Sequence, residues 1–235
     1  MDSVLLHRPY LDLTTPHVAD ACMRLGIPVR CAPTAMHALW SGIHLVGRVR
    51  PVRHYGSVDV FLEAIDGASR GDILMVDNGG RIDEACVGDL VTLEVAGAGL
   101  AGIVIWGLHR DNRELTTIRL PIFSLGTLPA GPQRLDVQEP SALESARCGD
   151  HEVTSDDFAL GDDDGILFIP LARAAEVAEL ASSIRDTERL QAARMQMGTS
   201  FRQQSRFPEF LASRLSNPAL SFRQHLRSIG GAIEV

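Results

Sequence analysis

The stretch "AGIVIWGLHRD", residues 101–111, decides the fold class and contains the first candidate functional residues. Its segment "GIVIW" is short, apolar and rich in β-branched residues, which is typical of a strand buried on both faces. Arg110 and Asp111 come after a run from Val95 to His109 that carries no formal charge. Because side chains that follow a buried parallel strand emerge at the carboxyl edge of the sheet, this pair is placed where α/β folds bind ligands.

Alternating helix and strand patterns surround this stretch. The segment "TTPHVADACMRLG" (14–26) begins with an N-cap threonine and an early proline and ends in glycine, which predicts a helix. Further helices are predicted at 57–68, 88–97 and 112–118, and strands at 42–54, 71–77, 102–106 and 120–126. This β-α-β-α-β order predicts an α/β fold.

The C-terminal part of the chain divides into a helix and an arm. Residues 171–197 predict a long amphipathic helix that ends at Gly198. The following segment, 199–235, carries five arginines against two glutamates and four of the chain's eight phenylalanines. We therefore expect an α/β domain over 1–198 and a C-terminal helical arm over 199–235 that packs on its own core or on a neighbouring subunit.

An acidic turn lies between short strands predicted within residues 151–170, which add antiparallel pairs to the alternating core. Its sequence, "DDDG" at 162–165, has the composition of a metal-binding loop. Leu167 and Arg173 occupy the positions at which an EF-hand requires glycine and glutamate. We therefore expect a turn here, and a loop at 129–140.

The composition excludes several classes of function. With 235 residues, 45% hydrophobic and 22% charged, the chain is able to bury a full core. A net charge of −8 and an aromatic content of 5% argue against a nucleic-acid partner. No uncharged run reaches the roughly 20 apolar residues needed to span a bilayer. Residues 1–10 lack the features of a secretion signal, so we expect a cytoplasmic protein without a membrane partner.

All 22 basic residues are arginine, and this excludes particular mechanisms. Schiff-base aldolases, pyridoxal-phosphate enzymes and P-loop ATPases need an amine at their centre, which arginine cannot supply because it is not deprotonated in proteins. Carbonyl chemistry in this protein therefore requires a metal ion or hydrogen bonds. The four cysteines show no CxxC spacing, which predicts buried or unreactive thiols rather than a disulfide framework.

A second candidate feature is the beginning of the predicted helix at Gly88 and Asp89. The first backbone N–H groups of a helix have no partner within it, so those of Leu90 and Val91 are expected to face an anion. We therefore expect these N–H groups to form a carboxylate-binding site close to the guanidinium of Arg110 and the carboxylate of Asp111.

Each of these side chains also has a purely structural interpretation. Asp111 is placed to cap the predicted helix 112–118, and Asp89 to stabilise its own helix through the dipole. Arg110 is able to pair with either carboxylate. His109 alternates with Arg110 along the strand and points the opposite way, so we expect a structural role for it.

Four segments together resemble the RraA-like family: "GDILMVDNGG", "ACVGDL", "AGIVIWGLHRD" and "DDDGILFIP". The resemblance covers roughly residues 10–195. Its most specific part is an aspartate, twenty intervening residues and then Arg-Asp, which Asp89, 90–109 and Arg110-Asp111 match without a gap. The family includes the regulator of ribonuclease E activity and metal-dependent pyruvate aldolases that act on 4-hydroxy-4-methyl-2-oxoglutarate and related substrates.

The resemblance implies a role for each residue of the candidate site. Asp111 would hold Mg²⁺ or Mn²⁺, with waters and substrate oxygens completing the coordination. Arg110 would donate hydrogen bonds to the enolate of a pyruvate-like moiety, and the backbone at 88–91 would bind its carboxylate. Asp89 would orient a water for proton transfer. Retro-aldol cleavage of 4-hydroxy-2-oxo acids and decarboxylation of oxaloacetate both pass through this enolate.

The resemblance also implies a β/β/α sandwich of the swivelling type, assembled into a homotrimer or hexamer with sites between subunits. Aldolases of the family add an acid from the C-terminal part of an adjacent subunit, for which Glu188 and Glu209 are the candidates here. Two alternatives stay open. One is a noncatalytic regulator that binds an endoribonuclease, and the other is a lyase or isomerase that uses the same enolate on a biosynthetic substrate.

Overall fold

The computed structural model describes residues 7–230 and arranges them around a mixed eight-stranded sheet. The strands are β1 (Arg30–Cys31), β2 (His37–Ala38), β3 (Leu45–Arg53), β4 (Ile73–Asp77), β5 (Ala85–Val87), β6 (Gly102–Trp106), β7 (Leu108–His109), β8 (Ile122–Ser124), β9 (Ser145–Cys148), β10 (His151–Thr154), β11 (Asp157–Asp162) and β12 (Gly165–Pro170). The α-helices are α1 (Thr15–Arg24), α2 (Asp59–Asp66), α3 (Asp89–Gly97), α4 (Asn112–Ile118), α5 (Ala174–Gln196), α6 (Phe201–Gln204), α7 (Phe207–Ser216) and α8 (Phe222–Ser228).

Parallel strands at the centre of the sheet match the predicted β-α-β-α-β core. The strand order is β1-β12-β11-β3-β4-β6-β8-β2, in which β3, β4, β6 and β8 are parallel neighbours. Strands β11, β12 and β1 extend the sheet antiparallel on one side, and β2 does so on the other. Small sheets of β9 with β10 and of β5 with β7 complete the topology of the described residues. The mixed α/β fold is therefore confirmed.

Apolar side chains at helical spacing attach the helices to the sheet. Val60 and Phe61 of α2 pack in one buried cluster with Val91 and Val95 of α3 and with residues of β4 and β6. A second cluster joins α1 and α5 to β11 and β12. Burying a side chain of this size stabilises the fold by about 1.5–3 kcal/mol relative to exposing it.

The acidic turn between β11 and β12 is a structural connector. Asp162 accepts hydrogen bonds from the backbone N and the Oγ1 of Thr15, both at 2.7 Å. Asp163 accepts from the backbone N of Gly42 at 2.8 Å and from the Oγ of Ser41 at 3.1 Å. The turn therefore ties the start of α1 and the segment before β3 to the edge of the sheet, as its failure to fit an EF-hand led us to expect.

Five strands were not predicted: β1, β2, β5, β7 and β9. Each is two to four residues long, which is too short for a period of two to show in the sequence. One of them changes the local prediction, because Arg110 and Asp111 follow β7 rather than β6 directly. After Gly107 the chain leaves its pairing with β4 and pairs with β5 instead.

The described part of the C-terminal arm consists of the short helices α6, α7 and α8 and the segments that connect them. The first half of α5 is anchored by buried Val177 and Ile184, whereas most of its second half is exposed. Beyond it, Phe210 lies between Phe207 and Phe222 with ring centroids 5.7 and 5.1 Å away, so the arm has a small core of its own. Contact with a neighbouring subunit stays a prediction, and residues 231–235 lie outside the described part.

Candidate active site

Two short parallel strands bring the predicted site residues together. Strand β5 ends at Val87, directly before Gly88 and Asp89, and β7 ends directly before Arg110 and Asp111. Because β5 and β7 pair in parallel, both pairs of residues emerge at the same edge. The backbone N–H of Arg110 donates to the carbonyl oxygen of Val87 at 2.9 Å, which fixes the two connections against each other.

The carboxylate of Asp111 lies between the two connections. Its Oδ2 is 3.2 Å from the backbone N of Asp89 and 3.5 Å from the Nε of Arg110. Asp111 occupies the N-cap position of α4 but makes no side-chain cap hydrogen bond there. Its backbone is left-handed, with φ 64° and ψ 39°, a conformation that aspartate tolerates better than most residues. The capping interpretation therefore holds for its position but not for its side chain.

Gly88 provides the space for this arrangement. A Cβ added at Gly88 would lie 2.3 Å from the Oδ2 of Asp111 and 3.3 Å from both the Cγ and the Nε of Arg110. The backbone of Gly88, with φ −134°, is open to any residue, so close approach rather than conformation requires glycine here.

The predicted carboxylate-binding site of backbone N–H groups is partly occupied by the protein itself. The N–H of Leu90 donates to the Oδ1 of Asp89 at 2.8 Å, so it is not open as expected. The N–H of Val91 has no hydrogen-bond partner within residues 7–230. For a carboxylate to bind here it would contact the N–H of Val91 directly, and it would reach that of Leu90 only by displacing the side chain of Asp89. The position of Asp89 in the first turn also suits the helix dipole.

Arg110 extends from this edge towards a small cavity. Its side chain is 47% exposed, and its two terminal nitrogens have no partner among the described residues. The cavity has a volume of about 130 Å³, and its lining includes Arg110, Gly88, Asp89 and His54. A guanidinium with two free donor groups beside a cavity is suited to binding a carbonyl or carboxylate oxygen.

The site fits a hard divalent cation that keeps most of its water. Asp111 Oδ1 and Asp89 Oδ2 have no partner among the described residues, so each carboxylate has one oxygen available. Carboxylate oxygens are the ligands that Mg²⁺ and Mn²⁺ prefer, and Mg²⁺ commonly binds through one or two of them. Between residues 7 and 230 no group of three or more His, Cys, Asp or Glu side chains forms a closed metal cage.

His109 and Cys86 have structural environments. Buried His109 places its Nδ1 2.7 Å from the Oγ of Ser124 and its Nε2 2.5 Å from the Oδ1 of Asn112, and burial lowers its pKa. This geometry agrees with the structural role expected for it. Burial raises the pKa of the Cys86 thiol, so Cys86 stays protonated beside the cavity and is no nucleophile.

The sequence prediction missed His54 and Asn78. Both directly follow parallel strands, β3 and β4 respectively, so the rule that located Arg110 applies to them equally. Both are buried, and the Nδ1 of His54 lies 2.9 Å from the Oδ1 of Asn78. His54 lines the small cavity and also a neighbouring cavity of about 350 Å³.

The two acids considered for a neighbouring subunit lie on the C-terminal helices. The Oε2 of Glu188, on α5, is 3.3 Å from the Nε2 of His17. Glu209, on α7, is 4.0 Å from a terminal nitrogen of Arg206. Within one chain these contacts involve none of the candidate site residues, so a role in a neighbouring site stays a prediction.

Comparison with known proteins places the chain in a family. A family model described as RraA-like, Aldolase/RraA, matches residues 15–168. The chain belongs to the RraA-like family. The match contains both halves of the candidate site and agrees with the resemblance read from the Asp89 to Asp111 spacing.

Two curated relatives carry aldolase names. A protein of Halalkalibacterium halodurans, provisionally named 4-hydroxy-4-methyl-2-oxoglutarate aldolase, is 32% identical over 120 residues, 51% of this chain and 56% of that protein. A 4-hydroxy-4-methyl-2-oxoglutarate aldolase of Thermus thermophilus is 26% identical over 141 residues, 59% of this chain and 83% of that protein. The RraA-like chain thus spans about half the length of the first of these relatives.

Solved structures share the fold at low identity. An uncharacterized protein from Pseudomonas syringae superposes with a TM-score of 0.75 at 23% identity, covering 86% of this chain and 96% of that chain. Streptomyces coelicolor RraAS2, an unusual member of the RNase ES inhibitor RraA protein family, gives a TM-score of 0.69 at 24% identity, covering 81% and 96%. At these identities the likeness concerns the RraA fold alone. Within residues 7–230, no helix combines the length and apolar character of a bilayer span.

Proposed function

We propose that this RraA-like protein is a divalent-metal-dependent carbon–carbon lyase that acts on 2-oxo acids through a pyruvate enolate. Its reactions would be retro-aldol cleavage of 4-hydroxy-2-oxo acids and decarboxylation of oxaloacetate. The observation that carries the proposal is that Asp89, Arg110 and Asp111 meet at one edge, each with polar atoms that no described residue occupies. Asp89 and Arg110 also line the small cavity beside this edge. The aldolase names of two relatives support it.

Each side chain has a role that its contacts support. The free oxygen of Asp111 would hold Mg²⁺ or Mn²⁺, which supplies Lewis acidity towards the 2-oxo oxygen of the substrate. Arg110 would donate hydrogen bonds to the same oxygen as it gains negative charge. A preorganised donor of this kind contributes about 10²–10³ in rate. The open N–H of Val91, with Gly88 and the displaceable contact at Leu90, would bind the substrate carboxylate.

Proton transfer to the product enolate would involve Asp89. Asp89 lines the cavity, and one oxygen of its carboxylate has no partner among the described residues, so it would be able to orient a water towards the methylene carbon. Both proposed reactions end with this protonation, which converts the enolate to pyruvate. One site therefore suffices for retro-aldol cleavage and for decarboxylation.

A direct assay tests this function. The purified protein is incubated with Mn²⁺ and either oxaloacetate or a panel of 4-hydroxy-2-oxo acids, with and without chelator, and pyruvate is measured. We expect pyruvate release that the chelator abolishes and that Asp111→Ala reduces strongly. Absence of metal-dependent release from every substrate, with Asp111→Ala no different from the parent, would favour the noncatalytic regulator or an enolate enzyme with another substrate.

We also propose a homotrimer or hexamer with sites between subunits. The partly exposed side chain of Asp111 and the exposed second half of α5 support this arrangement, because both leave surface available to another copy. Native mass spectrometry tests it, with three or six copies expected. A monomer at micromolar concentration would contradict it.

A further inference from the structure

An imidazole outside the predicted site lies at the wall between two cavities. His54 lines the small cavity together with Asp89 and Arg110, and it lines the larger neighbouring cavity together with Asn78 and Arg134. His54 is 7% exposed, and its ring stacks on Phe61 with centroids 5.1 Å apart and planes 13° from parallel. The ring orientation is therefore held by packing as well as by hydrogen bonding.

The hydrogen bonds to Asn78 determine which nitrogen of His54 carries the proton. The Nη2 of Arg134 lies 3.0 Å from the Oδ1 of Asn78, and a guanidinium only donates. The atom facing it must therefore be the amide oxygen, because the alternative amide orientation would set two donors against each other. The same oxygen lies 2.9 Å from the Nδ1 of His54, so Nδ1 carries a hydrogen and donates it.

It follows that the Nε2 of a neutral His54 holds a lone pair. Buried Glu84 fixes the other end of the chain of contacts by accepting from the Nε of Arg134 at 3.0 Å. The chain of contacts from Glu84 through Arg134 and Asn78 to His54 thus orients an imidazole whose Nε2 has no hydrogen-bond partner among the described residues. This is the arrangement of a general base whose second nitrogen is held by the protein.

The charges around His54 have mixed signs, and burial has the largest effect. Burial lowers the pKa of His54 below its ordinary value of 6.5, and the charge of Arg134 lowers it further. The hydrogen bond to Asn78 and the carboxylates of Glu84 and Asp136 raise the pKa. Asp89 and Arg110, which carry opposite charges, line the same small cavity as His54. His54 is therefore neutral, and able to accept a proton, at neutral pH.

We infer that the Nε2 of His54 is the general base that removes the 4-hydroxyl proton in retro-aldol cleavage, an inference that rests on the proposed lyase function. As Nε2 takes the proton, the O–H electron pair forms the carbonyl of the leaving fragment. The C3–C4 bond breaks, and its electron pair remains on the pyruvyl part as the enolate. The imidazolium proton then returns to C3 through the water that Asp89 orients, so no proton is gained or lost overall.

Decarboxylation of oxaloacetate lacks the step assigned to His54. The C3–C4 bond breaks with loss of CO₂ from a carboxylate that is already ionised, so no hydroxyl proton has to be removed. The enolate that forms is the same, and Arg110 stabilises it in the same way. His54 therefore contributes to the first reaction at a step that the second reaction does not contain.

The test compares the two reactions in the full-length protein. His54→Asn keeps a side-chain N–H near the position of Nδ1, which preserves the hydrogen bond to Asn78, and removes Nε2. General bases contribute about 10²–10⁴ in rate, so we expect the ratio of retro-aldol to decarboxylation kcat to fall at least about 100-fold. His44→Asn is the matched control. The Nε2 of His44 lies 2.9 Å from the carbonyl oxygen of Leu13, so this nitrogen is engaged in a structural contact.

An unchanged ratio of the two kcat values in His54→Asn, including the case in which both reactions slow equally, would overturn the inference. Failure of the proposed function itself is distinguishable, since the parent protein would then turn over neither substrate with Mn²⁺, and both proposals would fall together. A lower ratio that His44→Asn does not reproduce supports the assignment.

Nuclear magnetic resonance gives a second readout that needs neither metal nor substrate. With ¹⁵N-labelled histidine we expect His54 in the Nδ1–H form, titrating below 6.5. Asn78→Asp places a carboxylate against the ring, which favours the imidazolium and raises the pKa of His54. An Nε2–H tautomer in the parent protein, or no shift in Asn78→Asp, would overturn the inference.

Discussion

Aspartates cluster in two regions of this protein, and they differ in what occupies their oxygens. At the turn between β11 and β12, both oxygens of Asp162 and of Asp163 accept hydrogen bonds from the protein. At the edge after β5 and β7, Asp89 and Asp111 each use one oxygen, and the other has no partner within the described residues. In the turn, only the carboxylate of Asp164 has no hydrogen-bond partner among the described residues, whereas at the edge two carboxylates from neighbouring connections each have an oxygen left over. Available lone pairs, rather than acid density, therefore distinguish a site from a connector.

We expect the largest loss of activity from a substitution of Asp111, at the edge after β5 and β7. Asp111→Asn removes the charge without adding backbone strain, because asparagine also tolerates φ near 64°. Loss of Lewis-acid stabilisation worth several kcal/mol predicts a fall in kcat/KM of about 10³-fold or more. Steady-state assay of pyruvate release measures it. The matched control is Asp163→Asn, for which we expect kcat/KM within about twofold of the parent, and equal losses in the two variants would break the comparison.

Arg110→Gln is expected to have the next largest effect. Removing the guanidinium should lower kcat about 10²–10³-fold, because the donors to the developing enolate are lost. Arg173→Gln serves as the control, since the side chain of Arg173 pairs with Glu176 and neither residue belongs to the candidate site. If kcat in Arg110→Gln equals that of the parent protein, with saturating oxaloacetate and with a saturating 4-hydroxy-2-oxo acid in separate assays, Arg110 has no role in catalysis.

A substitution in the turn between β11 and β12 should lower the stability of the protein and leave its activity unchanged. Asp162→Asn replaces one acceptor oxygen by an NH₂ group that faces a donor of Thr15, so we expect a loss of about 2 kcal/mol in the free energy of unfolding. Denaturant titration measures this loss. The specific activity of the folded variant should match the parent, and a loss of activity without a loss of stability would contradict the assignment of the turn as a connector.

Gly88→Ala tests whether the close approach of Gly88 to Asp111 matters for function. The added Cβ would meet the Oδ2 of Asp111 at 2.3 Å, so the carboxylate must move. We expect about a tenfold rise in the Mn²⁺ concentration that gives half-maximal activity, a cost of about 1.4 kcal/mol. Gly97→Ala, where an added Cβ meets nothing within 4 Å, is the control and should leave this concentration unchanged. Equal behaviour of the two variants would show that the close approach at Gly88 has no functional role.

The order of elements and the location of the edge followed from sequence because both depend on local patterns. The parallel core required only strand and helix periods, and the position of Arg110 and Asp111 required only a strand before them. Strand β7 was missed because two residues carry no period. The contact of Leu90 with the side chain of Asp89 was missed because the prediction considered the backbone alone.

The orientation of His54 could not be predicted from its neighbours in the sequence. It depends on Arg134, which lies 56 residues beyond Asn78 in a segment that the sequence identifies only as a loop. Tertiary contacts of this separation are set by the packing of the loop over the strand ends, and no local propensity encodes them. The position of His54 after a parallel strand was readable, whereas its tautomer required the structure.

Binding of Mn²⁺ together with oxalate, a planar mimic of the pyruvate enolate, tests the central claim most directly. Calorimetric titration of the parent protein should give one Mn²⁺ per site, bound more tightly with oxalate than without it. Asp111→Asn should lose this coupled binding, while Asp163→Asn should keep it. Equal binding in Asp111→Asn and the parent, or loss in Asp163→Asn instead, would contradict a cation site at the edge after β5 and β7.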